Sequence, residues 1–182
     1  MVKCLDNQGL IHQLWGEYDT VLDKYRQALQ VVVDDDTRQA LNLHVADMLV
    51  ALEEPDQALD VYQELLLETK ASNAGMQGVL LHNIATIHVD QGDYELALEE
   101  FHQALQIKQE TGGEHNPEVA TTWNSLGALH ATVFDEKVQA LECFKKVLLI
   151  ARINAKDPKT DPDVLSAIQN ISLIEQQLNN EE

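Results

Sequence analysis

With 182 residues, 45% of them hydrophobic, the chain is long enough for one continuous core, yet no apolar run approaches the length a membrane helix needs. Its 31 acidic against 12 basic residues give a net charge of −19, which argues against nucleic acid and anionic membrane surfaces and favours a basic or neutral partner. Met1-Val2-Lys3-Cys4 opens without the apolar stretch of a leader, so the expected location is the cytoplasm, and Cys4 and Cys143 read as reduced, partly buried small residues.

A first helical hairpin is expected to pair Val2 to Leu14 with Tyr18 to Val32, turning at Trp15-Gly16-Glu17, before the connector Asp34-Asp35-Asp36. The second pairs about Thr37 to Leu52 with Pro55 to Thr69, placing Pro55 at a helix N-terminus where its missing N–H costs nothing. The third pairs Met76 to Asp90 with Asp93 to Glu110 through Gln91-Gly92-Asp93. The joint from Thr111 to Pro117 holds a glycine stop, the cap Asn116 and a first-turn proline, and leads into the fourth pair, Pro117 to Thr132 and Asp135 to Asn154. After Asp157-Pro158 and Asp161-Pro162, Val164, Ile168, Ile171, Ile174 and Leu178 recur at helical spacing opposite Gln169, Asn170, Gln176 and Gln177. This last helix is expected to be a solvating cap.

A small residue recurs through these elements at Gly9, Ala46, Ala85 and Gly127, with Ser172 a weaker fifth, at intervals of about 40 residues. Each of the first three is followed by an apolar residue (Val21, Ala58, Ala97), an aromatic (Tyr25, Tyr62, Phe101) and a further apolar residue (Ala28, Leu65, Ala104). The fourth copy reads Gly127, Ala140, Phe144, Val147. Small residues let two antiparallel helices approach closely, and the bulky ones one and two turns on fill the remaining space. A hairpin of this kind cannot bury its apolar face alone and must stack on neighbours.

At these residues the chain resembles the tetratricopeptide repeat, from about Val2 to about Leu178. The signature tryptophan, leucine and glycine stand as Trp123, Leu126 and Gly127, and the third copy supplies Leu81, Ile84 and Ala85. His12, Leu49, His88 and His130 occupy the position usually filled by an aromatic, and the closing proline is missing. The phrase from Gly113 to His130 is similar to the kinesin light chain subgroup of these repeats. The expected fold is all-α, a right-handed superhelix (α-solenoid) of four helical hairpins plus a C-terminal capping helix. Residues 1–182 would form one domain, with repeats about 2–36, 37–74, 75–116 and 117–160 and a cap about 162–178. The resemblance implies a non-enzymatic protein interaction module or adaptor.

In repeats of this family the first helix of each unit lines a concave groove. The matching positions include Leu10, then Leu43, Asp47 and Val50, then His82, Thr86 and Val89, then Asn124 and Ala128, and finally Gln169. Such a groove is apolar and neutral-polar, suited to an extended or helical segment of a protein partner rather than to an anionic end group. A second surface is the acid two residues beyond the small position of each second helix: Asp23, Asp60, Glu99 and Glu142, extended by Glu64. Two residues turn a helix by about 200°, so these should form a solvated convex ridge or a docking strip for a basic partner. The alternative to the adaptor is a structural or assembly subunit of a larger complex, docked through its edges or that acidic face.

No catalytic, cofactor or metal residues are expected. His82 and His88 lie about 240° apart on a helix and do not converge as metal ligands would, and no phosphate-binding glycine loop, nucleophile motif or paired-cysteine pattern occurs.

Overall fold

The computed structural model describes residues 18–69 and 73–180. The chain forms two compact units, Met1–Thr69 and Lys70–Glu182, and all regular structure among the described residues is helical. The predicted first helix, Val2 to Leu14, with Gly9, Leu10, His12 and Cys4, lies outside the described residues.

The first unit contains α1 (Tyr18–Leu29), α2 (Asp35–Ala51) and α3 (Pro55–Glu68). Asp34 caps α2, accepting from the Thr37 N–H at 2.9 Å and its hydroxyl at 2.6 Å, while Asp35 and Asp36 sit in the first turn where the helix dipole favours acids. Pro55 opens α3 as expected. Val21, Leu22, Tyr25 and Ala28 of α1 and Leu41, Val45, Met48 and Leu49 of α2 are buried. Ala46 and Ala58, both fully buried, are the small positions of the α2–α3 hairpin, and Tyr62 and Leu65 fill the space beside them. The Tyr62 hydroxyl donates to Asp47 Oδ1 at 2.6 Å, so the polar end of that ring is satisfied.

The second unit contains α4 (Ala74–Gln91), α5 (Tyr94–Gly112), α6 (Pro117–Thr132), α7 (Lys137–Asn154) and α8 (Pro162–Asn179). Gly92 ends α4 at φ 88°, the left-handed conformation glycine adopts without strain, and Glu53 and Asp135 take the same region in the α2–α3 and α6–α7 turns. Asn116 accepts from the Glu118 N–H at 2.9 Å, and Asp161 from those of Asp163 and Val164 at 3.1 and 3.2 Å, each ahead of a proline in the first turn. The core joins Ala85, Ala97, Phe101, Leu105, Val119, Leu126, Leu129, Cys143 and Ile150. Gly127 is buried with Phe144 against it: a β-carbon there would lie 2.9 Å from the ring. Gly78, which the repeat pattern does not mark, plays the same part between α4 and α5, where a β-carbon would meet Lys108 Cγ at 2.9 Å.

Helix α8 packs on α7 through a second cluster, Ala140, Phe144 and Ile174, with Ile171 and Leu178 against it. One residue of the predicted stripe is corrected: Ile168 is exposed, and Ala167 is buried in its place. Val164, Ala167, Ile171, Ile174 and Leu178 follow a heptad-like spacing that keeps one arc inward, whereas Ile168 lies about 80° off its centre. Ser172 is likewise exposed, so the fifth small position makes no close helix contact. Removing Asp161 to Glu182 should uncover Ala140 and Phe144 and lower stability by about 3 kcal/mol or more. A truncated chain that stays monomeric and melts with the parent would show that α8 covers nothing of consequence.

Candidate partner-binding site

Helices α2, α4, α6 and α8 carry the predicted groove residues that lie among the described residues, and Leu10 lies outside them. On α2, in the first unit, Leu43 and Asp47 are half-buried and Val50 is exposed, with Asp47 engaged by Tyr62. In the second unit, His82 and Val89 are half-buried and Thr86 is exposed on α4; Asn124 and Ala128 of α6 and Gln169 of α8 are exposed. The second unit brings His82 and Asn124 together on a cavity of about 460 Å³ between α6, α7 and α8. Thr121 and Ser125 add hydroxyls to its wall, Val147, Ile150 and Ala151 of α7 form an apolar side, and Ser166, Asp161 and Asp163 stand at the start of α8. Asn170 donates to Asn124 Oδ1 at 3.4 Å, tying α8 to α6 beside the cavity. Thr86, Val89, Ala128 and Gln169 are not part of its lining. The cavity can hold an apolar side chain against α7 while amides and hydroxyls meet a partner's backbone.

Behind this wall lies a polar chain that the repeat pattern does not reveal. The Lys108 ammonium, on a residue only 4% exposed, donates to Thr122 Oγ1 at 3.2 Å, and the same hydroxyl lies 3.2 Å from His82 Nδ1. The His82 ring also tilts against Phe101 with centroids 5.3 Å apart. Burial lowers the Lys108 pKa, partly offset by the Glu118 charge. Burial, helped by the Lys108 charge, lowers the His82 pKa to about 4.

The His82 shift carries a stability consequence. The unfolded ring takes up its proton near 6.5, so between there and about 4 the unfolded chain binds more protons and the native state loses stability as pH falls. From pH 7 to pH 5 this costs about 2 kcal/mol, a loss His82→Gln should not share. Urea melts of both proteins at the two pH values test it; equal losses would show that the folded ring is not held neutral.

His88 and His130, the two described histidines at the position usually filled by an aromatic, pair with carboxylates. His88 Nδ1 lies 2.7 Å from Glu100 Oε2 across the α4–α5 hairpin, and His130 Nδ1 lies 2.7 Å from Glu136 Oε2 across the turn into α7. Those partners were not visible as a motif, because they stand at different offsets in the two repeats. The Cys143 thiol is buried, and burial with the nearby Glu142 charge pushes its pKa up to about 11, which suits packing rather than nucleophilic work. Among the described residues no group of three or more histidines, cysteines or carboxylates could hold a metal ion. No described helix is long and apolar enough to cross a membrane. Asp23, Asp60, Glu64, Glu99 and Glu142 are all exposed.

The tetratricopeptide repeat family model matches residues 77–153, the segment that contains most of α4 to α7. Over this segment the chain carries tetratricopeptide repeats. No curated protein matches it by sequence. Among solved structures, BtubC (BKLC) from P. vanneervenii is 22% identical with a TM-score of 0.81, the match covering 98% of this chain and 73% of that one. A Podosopora anserina putative kinesin light chain with nearly identical TPR-like repeats is 14% identical, with a TM-score of 0.74 over 98% of this chain and 87% of that one. The apo form of RapI is 17% identical with a TM-score of 0.77, and the match covers 98% of this chain but only 64% of that one. These likenesses show a shared fold of helical-hairpin repeats.

Proposed function

We propose that the chain is a non-enzymatic adaptor that holds an extended segment of a protein partner on the first-helix face of its second unit. The observation that carries the reading is the cavity of about 460 Å³ beside His82, Thr121, Asn124 and Ser166. It combines an apolar wall with neutral donors and acceptors, as a backbone-reading peptide site requires. Asp161 and Asp163 at its edge suit a basic or neutral segment. The repeat fold supports a protein partner, since rigid stacked helices save that partner the entropy of organising its own site. The same reading puts the adaptor in the cytoplasm, where a partner segment would meet it.

Peptides selected from a displayed library against the whole protein provide the test. Thr121 is exposed and lines the cavity, so Thr121→Arg fills the space without disturbing the core and should weaken selected peptides about tenfold or more. Peptides that bind Thr121→Arg as well as the parent would place the function elsewhere. The exposed Leu165, Ile168 and Leu173 of α8 favour a second reading, a subunit whose α8 face is covered in a larger assembly.

A further inference from the structure

Half of the chain's 12 basic residues fall between positions 137 and 159: Lys137, Lys145, Lys146, Arg152, Lys156 and Lys159. Helix α7 is therefore a basic element in a chain of net charge −19. Lys145, Lys146 and Arg152 are exposed, and among the described residues none of them is engaged in an ion pair. On the same side of α7, Val138 is 59%, Leu149 48% and Ile153 52% exposed. At about 100° per residue these six side chains share one face, opposite Ala140, Phe144, Val147 and Ile150, which are buried. Glu142 is the one acid on that face, so the predicted acidic ridge reverses its local sign here.

Single exposed aliphatics are ordinary, but three in one stripe flanked by unpaired cations are not. We propose that the outward face of α7 docks an acidic amphipathic helix of a protein partner. Val138 to Ile153 spans about 22 Å, four turns of a partner helix, whose aliphatics would cover Leu149 and Ile153 while its carboxylates meet Lys145, Lys146 and Arg152. Charge complementarity selects this occupant. A long polyanion such as a nucleic acid duplex or an anionic bilayer would reach past the strip and meet the repulsion of the remaining negative charge, whereas a short acidic helix stays within it. The strip lies on the far side of α7 from the cavity, so it is independent of the groove reading.

The test uses the whole protein and a labelled synthetic helix of about 18 residues with leucines on one face and glutamates beside them. A copy with lysine for glutamate and vesicles rich in phosphatidylserine serve as comparisons. Fluorescence anisotropy should show saturable binding of the acidic helix, weaker at higher salt, with about tenfold loss in Lys145→Glu/Lys146→Glu/Arg152→Glu and in Leu149→Gln/Ile153→Gln. Thr121→Arg should leave it unchanged, which separates failure here from failure of the groove. All substituted positions are exposed, and circular dichroism melts matching the parent verify the fold. Equal binding of the lysine helix, no loss in either α7 variant, binding of vesicles alone, or self-association of the parent that the α7 variants abolish would each overturn the proposal.

Discussion

Gly127→Leu should destabilise the protein by about 3 kcal/mol or more, whereas Gly127→Ala should be nearly neutral. A β-carbon at 127 would lie 2.9, 3.0 and 3.1 Å from three atoms of the Phe144 ring, inside ordinary van der Waals contact. For alanine, one aromatic side chain must shift by a few tenths of an ångström, and the gain of about 1 kcal/mol in helix propensity offsets much of that cost. Leucine adds three more carbons where Phe144 and its neighbours are already buried, so α6 and α7 must separate or the ring must leave its place. Chemical denaturation of the two variants, with Gly127→Leu/Phe144→Ala as a third, measures this. The double variant should recover part of the loss by giving the leucine the ring's space. A Gly127→Leu melt superimposable on the parent would mean that the two helices do not touch there, and with that the repeat register would fail.

The repeat was legible because its signal is geometric. Ala46, Ala58, Ala85, Ala97 and Ala140 are fully buried, and Tyr62, Phe101 and Phe144 pack beside them, since spacing along a helix fixes which side chains face the neighbouring helix. Helix boundaries followed the caps and prolines to within a few residues, as at Asn116-Pro117 and Asp161-Pro162. Ile168 was misplaced because hydrophobicity alone ranks it above Ala167, although helical angle decides which of two adjacent residues points inward.

The candidate site was only partly legible. His82 and Asn124 were marked by repeat position and do line one cavity, but Thr86, Val89, Ala128 and Gln169 do not, because the cavity is bounded by the first half of α6, by α7 and by the start of α8 and does not run on along the first helices. The α7 strip was written in the charges yet hidden by averaging over a strongly acidic chain. Lys108 left no local trace, since its partner Thr122 belongs to the next repeat and a lysine is expected at the surface.

That hidden lysine sets the second large effect. Thr122→Val keeps the shape of a fully buried side chain but removes the oxygen that accepts from the Lys108 ammonium at 3.2 Å. A buried charge stripped of its hydrogen bond costs far more than the bond itself contributes, so the variant should lose about 3 kcal/mol. The loss should also appear as easier opening of the α5–α6 contact, seen as faster amide exchange there than in the α7–α8 pair. Replacing the charge as well reverses the argument. Lys108→Met keeps the aliphatic stem over Gly78 and no longer needs an acceptor, so Lys108→Met/Thr122→Val should return to within about 1 kcal/mol of the parent. If Thr122→Val alone melts with the parent, the ammonium reaches water by another route and the polar chain behind the cavity is not a buried one. If the double variant is as unstable as the single, the threonine acts through His82 and the Glu118 carbonyl, its other two neighbours, rather than through the lysine.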